Sequence, residues 1–143
     1  MKEDSIFSEL AELNSLMVKV LSARYKKLNL NVTPLQSRII IYIHDNEGKV
    51  WQKDLERFIG CNKSTLSSVL STMEKNGFIE RVGSKEDYRQ NDIILTDASI
   101  DIVNILVEDS TLINNLISDN ISEEEISRFK EFTRKVKNNL ERM

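Results

Sequence analysis

The stretch Asn62-Lys63-Ser64-Thr65-Leu66-Ser67-Ser68 places hydroxyls and one cation around a single apolar position. If Leu66 points inward on a helix, the outward surface is Lys63, Ser64, Thr65, Ser67, Ser68, Ser71 and Thr72. Short side chains of this kind let a helix approach the floor of a DNA groove. Hydroxyls then donate to phosphates or touch bases, and a threonine methyl packs on a thymine methyl. A merely solvated helix has the same composition, so this segment alone leaves both readings open. Further along, the polar run Gly83-Ser84-Lys85-Glu86-Asp87-Tyr88-Arg89-Gln90-Asn91 separates two apolar, alternating segments, as a hairpin loop does.

Other chemistry is thinly provided. His44 is the one histidine, near the end of a helical segment where a positive side chain suits the helix dipole. A zinc site needs a cluster of ligands, so no metal is expected. No Ser/His/Asp arrangement and no glycine-rich phosphate loop occurs, so neither an enzyme nor a cofactor is expected. Cys61, the one cysteine, falls beside Lys63 and a helix start, both of which favour a thiolate. Oxidation there would displace the helix that follows. The plainer alternative is a small residue filling a turn.

The chain has 143 residues, 40% hydrophobic and 30% charged, which suits one domain with a packed core. Its longest apolar run, Ile39 to Ile43, is too short to span a bilayer. Met1-Lys2-Glu3-Asp4 does not resemble the start of a signal peptide. With one cysteine there is no intrachain disulfide, and a cytoplasmic protein without membrane partners is expected. The net charge of −3 argues mildly against nucleic-acid binding. Within Lys49–Asp92, eight cations (Lys49, Lys53, Arg57, Lys63, Lys75, Arg81, Lys85, Arg89) meet seven anions (Asp54, Glu56, Glu74, Glu80, Glu86, Asp87, Asp92). Binding there must come from the placement of a few cations.

The elements that position these residues follow from periodicity and breakers. One proline and four glycines favour a mostly helical chain. A first helix is expected from about Ser5 to Leu28. Its apolar residues, among them Phe7, Leu10, Leu13 and Met17, spread beyond one narrow face. Thr33-Pro34-Leu35-Gln36 reads as a capping box opening a second helix, with Leu35, Ile39, Ile40 and Ile43 buried. Lys49-Val50-Trp51 suggests a short strand, and Gln52–Ile59 a third helix burying Leu55, Phe58 and Ile59. Gly60 then suits a left-handed helix end. Asn62 caps a fourth helix to Asn76, with Leu66, Val69, Leu70 and Met73 inward. Phe78–Val82 and Asp92–Thr96 read as strands. A fifth helix is expected over Asp97–Ile117 and a last one after the Ser122/Glu125 capping box, with the stripe Ile126, Phe129, Phe132, Val136 and Leu140.

Two helices joined by a short glycine-containing turn over Leu55–Met73 make a helix-turn-helix, whose second helix enters the major groove. The hairpin that follows makes it a winged one, and this combination favours duplex DNA as the partner. The broad apolar surfaces of the first and last helices suggest a second copy of the chain as another partner.

The wing run, with an acidic residue two before an arginine (Asp87, Arg89) and a second strand ending in Leu95-Thr96, resembles the multiple-antibiotic-resistance regulator (MarR) family. Glu74-Lys75-Asn76-Gly77-Phe78-Ile79-Glu80-Arg81, Lys53-Asp54-Leu55 and Lys63-Ser64-Thr65 are similar to the family as well. The resemblance implies one MarR-like domain over 1–143. A winged helix-turn-helix lobe occupies about 33–96, and long terminal helices at about 5–28 and 97–143 form the dimerisation lobe. It implies that Arg89 enters the minor groove, held by Asp87 through a charge-assisted hydrogen bond, with Lys85 beside it. It implies dimerisation through the first and last helices, for which Phe7, Leu10, Leu13, Leu116, Phe132 and Val136 are the candidates. A small aromatic anionic effector is a further implied partner. Ser68 and Asn91 stand where the family often has basic residues, and the family's sensing cysteine usually lies in the first helix, which has none here.

The expectation is therefore a mostly α, winged helix-turn-helix transcriptional regulator, a homodimeric repressor on an inverted-repeat operator. A winged helix used for protein binding, and redox control through Cys61, are the alternatives.

Overall fold

The computed structural model describes residues 3–143. The Met1-Lys2 part of the signal-peptide argument lies outside them. α1 runs Ile6–Lys27, started by the Ser5 side chain accepting from the Ser8 N–H. The chain leaves it through Asn29 at φ 58°, where asparagine is tolerated. α2 runs Pro34–Asp45. Its capping box is complete: the Gln36 N–H donates to Thr33 Oγ1 and the Thr33 N–H to Gln36 Oε1, each at 3.1 Å. Ile39, Ile40 and Ile43 are fully buried. Leu35, expected inside, is half-buried, whereas Gln36 and Ser37 are buried. The cause is the seam with α1, where the buried Tyr25 hydroxyl donates to Ser37 Oγ at 2.9 Å.

β1 (Lys49–Trp51) leads into α3 (Gln52–Ile59), which ends at Gly60 with φ 75°. Leu55 is fully buried, but Phe58 is exposed rather than in the core. It stacks on the Tyr42 ring at 4.1 Å, and the Arg38 guanidinium lies 4.6 Å from its centroid. An eight-residue helix offers the core about one face, and Phe58 instead covers the flank of α2. α4 (Lys63–Lys75) is anchored by the fully buried Leu66, Leu70 and Met73, with Val69 only half-buried.

β2 (Ile79–Gly83) and β3 (Asn91–Leu95) complete an antiparallel sheet of order β1-β3-β2. Its register pairs Arg81 with Ile93 and Gly83 with Asn91. The hairpin ladder therefore extends further toward the tip than expected, leaving Ser84–Gln90 as the loop. Phe78 falls outside the strand because its N–H bonds back to the Met73 carbonyl of α4 at 3.0 Å. After β3, Asp97–Ser99 is a 3₁₀ turn, tightened by the Ser99 amide and hydroxyl both donating to the Thr96 carbonyl.

α5 (Ile100–Ile117) follows, then α6 (Glu123–Glu141), opened by the expected Ser122/Glu125 capping box. The chain divides into two compact units, one ending at Leu106 and one running Val107–Met143. The first contains the sheet and α1 to α4 with their core. In the second, α6 buries none of its residues. No helix among the described residues is long and apolar enough to cross a membrane.

Candidate nucleic-acid interface

The recognition-helix candidate, α4, is fixed at its start by Asn62, whose Oδ1 accepts the Thr65 N–H at 2.8 Å. Lys63, Ser64, Thr65 and Ser68 are exposed, as the helical period requires once Leu66 and Leu70 are buried. Ser67 is half-buried. The hydroxyls further along turn back onto the helix: Ser71 Oγ donates to the Ser67 carbonyl (2.9 Å) and Thr72 Oγ1 to the Ser68 carbonyl (3.3 Å). The free polar surface therefore contracts to the first turn and a half of the helix, a narrower strip than composition suggested.

Arg81, on β2, explains why Ser67 is covered. Its guanidinium donates to Ser71 Oγ at 2.9 Å, to Glu74 Oε1 at 3.1 Å and, at 3.5 Å, to Ser67 Oγ. Its backbone N–H donates to the other Glu74 oxygen at 3.1 Å. These bonds, the backbone one first, hold the Glu74 carboxyl below its usual range. They tie the wing's first strand to the recognition helix. In the sequence Arg81 stands out as one cation among eight and as the last residue of the family-like stretch Glu74–Arg81, with no sign of this clamp. The available signal was strand alternation, which puts Arg81 on the same side as the buried Ile79.

The wing loop is braced from inside by Ser84, also missed. This buried hydroxyl accepts the N–H groups of Glu86 (3.2 Å) and Asp87 (3.3 Å). The Ser84 N–H donates to the Gln90 carbonyl and the Gln90 N–H to the Asp87 carbonyl. On this frame Asp87 receives Arg89 three times: the backbone N–H and Nε on Oδ1, both at 3.1 Å, and a terminal guanidinium nitrogen on Oδ2 at 3.2 Å. The side-chain bonds to Arg89, then the backbone one, lower the Asp87 carboxyl below its usual range. Arg89 stays largely exposed and Asp87 does not. Lys63 and Lys85 are exposed and carry no ion pair among the described residues. At the base of the wing, Thr96 donates its N–H to the Phe78 carbonyl (3.2 Å) and its hydroxyl to that of Gly77.

Cys61 is a free, half-exposed cysteine between Gly60 and the cap Asn62. Phe7, Leu13, Leu116 and Phe132 are exposed, while Leu10 and Val136 are half-buried. Behind α4, a groove of about 500 Å³ is lined by Ser22, Lys26, Leu30, Gln36, Thr72 and Asn76, among others. Among the described residues no group of three or more His, Cys, Asp or Glu is placed to hold a metal ion.

Comparison with known proteins agrees with this fold. The MarR family model matches residues 30–90, from the turn before α2 to the wing tip. The HTH-type transcriptional regulator SarZ of Staphylococcus haemolyticus is 34% identical over 86 residues, covering 60% of this chain and 56% of SarZ. The chain thus spans just over half the length of that relative. The S. aureus MepR–DNA complex has the same fold, with a TM-score of 0.81 at 19% identity over 95% of this chain and 98% of MepR. A MarR-family regulator of Listeria monocytogenes complexed with 26mer DNA gives 0.79 at 21% identity, over 98% and 90%. At these identities the two structures speak for the fold, and the family model and SarZ speak for likeness over the matched residues. Over residues 30–90 the chain is similar to the MarR family, and its fold is shared with a MarR-family regulator bound to DNA.

Proposed function

We propose that this chain is a sequence-specific, duplex-DNA-binding transcriptional regulator. It acts in the cytoplasm as a homodimer on an inverted-repeat operator, as a repressor. The observation that carries the reading is the braced Asp87–Arg89 pair at the wing tip. It lies in the same unit as a helix whose first turn presents Lys63, Ser64 and Thr65. A guanidinium held out on a rigid loop suits the narrow, negative minor groove, and short hydroxyl side chains suit major-groove edges. Ser67 and Ser68 flank that contact, and Lys85 adds a phosphate contact beside Arg89. The MepR and Listeria structures, both bound to DNA, support this use of the fold. Exposed apolar side chains on α1 and α6 (Phe7, Leu13, Phe132) support self-association. An anionic effector would meet Lys26 in the groove behind α4.

The test is to select duplexes from a random-sequence pool with the purified protein and sequence them. A palindrome with half-site centres about 10 base pairs apart is the expected result. A pool with no enriched sequence would favour the second reading, a winged helix that binds protein. That reading draws on the pairing of Arg81 with Glu74 and Arg89 with Asp87, which leaves the surface little net charge. Redox control through Cys61 predicts that alkylating the thiol changes DNA affinity.

A further inference from the structure

The wing loop poses an energetic problem for any DNA contact. Between Gly83 and Asn91 its charged residues are Lys85, Glu86, Asp87 and Arg89, two of each sign. Charge attraction alone gives such a tip little reason to enter a groove walled by phosphates. The same tip carries Tyr88, 90% exposed. It stands between the Asp87 that is braced on Ser84 and the Arg89 that is bonded to Asp87, and the Gln90 amide closes the turn behind it. Its backbone position is therefore fixed while its ring is bare. A rigid aromatic with few rotatable bonds loses little entropy on contact, and its apolar faces gain by leaving water.

We infer that Tyr88 is a DNA-contacting residue of the wing, its ring packing against the deoxyribose wall of the minor groove beside Arg89. The contact is apolar and supplies the affinity that the charge-neutral tip lacks. It rests on the DNA-binding reading above.

The tyrosines themselves provide the test. Tyr25 is buried with its hydroxyl on Ser37, and Tyr42 is half-buried against Phe58, so Tyr88 is the freely exposed one. Nitration of the wild-type protein should modify Tyr88 first, and a saturating duplex selected from a random pool should slow that modification several-fold. Equal rates with and without the bound duplex overturn the proposal. Independently, Tyr88→Ala should raise Kd at least about tenfold, the equivalent of about 60 Å² of lost apolar burial. The salt slope should be unchanged, and Tyr88→Phe should bind like wild type. A loss accompanied by a lower salt slope means the substitution acts through Arg89, and overturns the proposal. If Arg89→Ala weakens binding and Tyr88→Ala does not, the wing reading stands and the Tyr88 contact falls. If neither weakens binding, the wing reading falls with it.

Discussion

Arg89→Ala is the substitution that isolates the wing. The side chain is about three-quarters exposed, and its partner Asp87 is held in place by other bonds. Exposed pairs of this kind contribute little to stability, so the fold should change by no more than about 0.5 kcal/mol. DNA binding should change far more, and in a recognisable way. Each cation that displaces a counterion contributes about 0.9 to the slope of log K against log salt. A dimer engaging both wings therefore loses about 1.8 from that slope. Between about 50 and 200 mM salt the wild type should then lose about twelvefold more affinity than the variant. Asp87→Asn separates charge from positioning. It removes a negative charge, which by itself tightens binding to any duplex, but it loosens the bidentate grip on Arg89. Positioning predicts weaker binding to the selected duplex and unchanged or tighter binding to a scrambled one. Thr65→Ala is the contrasting substitution: preference within each half-site relaxes while the salt slope stays. Fluorescence anisotropy titrations on selected and scrambled duplexes at several salt concentrations read all three. If Arg89→Ala matches wild type in affinity and slope at every salt concentration, Arg89 does not touch DNA.

Three other outcomes are expected. Charged residues at Leu13 and Phe132, both exposed apolar positions, should convert a dimer to monomer or insoluble protein; light scattering showing a well-folded wild-type monomer at micromolar concentration would refute the dimer. The Asp87 carboxyl is lowered from its usual 3.8, so the pair with Arg89 is fully formed above that pH and lost as pH falls through the lowered value; a carboxyl-carbon NMR titration should find the midpoint below 3.8, and at neutral pH Asp87 should not contribute to any pH dependence of binding. Asp92 is buried in β3 with Oδ1 lacking a partner among the described residues, so Asp92→Val, which removes the unpartnered oxygen from a strand position, should stabilise by about 1 kcal/mol and raise Tm by about 2–4 °C, read by calorimetry.

Features set by neighbours a few residues apart were legible in the sequence. The capping boxes at Thr33–Gln36 and Ser122–Glu125 and the limits of α3 depend on such short spacings, whereas the Asp87–Arg89 bond was implied by the family resemblance. Features set by a distant partner were not. Phe58 has an apolar side chain at a plausible core spacing, and only the position of Tyr42 decides that it lies on the surface. The Arg81 clamp joins residues 7 to 14 apart through a turn whose direction the sequence does not state. Ser84 looked like any serine in a polar loop, because its bracing role depends on which amides the turn points at it. The helical period directs the hydroxyls of Ser71 and Thr72 outward, yet each is within reach of a carbonyl one turn back.

Because Thr96 fastens the end of β3 to the carbonyls of Gly77 and Phe78, the excursion between them starts and finishes at one place. The cost of closing such a loop grows only with the logarithm of its length, about 0.6 kcal/mol for a doubling. Residues added or removed at the tip, between Ser84 and Gln90, therefore leave the clasp and the helices behind it undisturbed. The hairpin behaves as a replaceable cartridge: descendants of this chain can lengthen, shorten or recharge it, and so change how far along a duplex they feel, without redesigning the body that carries it.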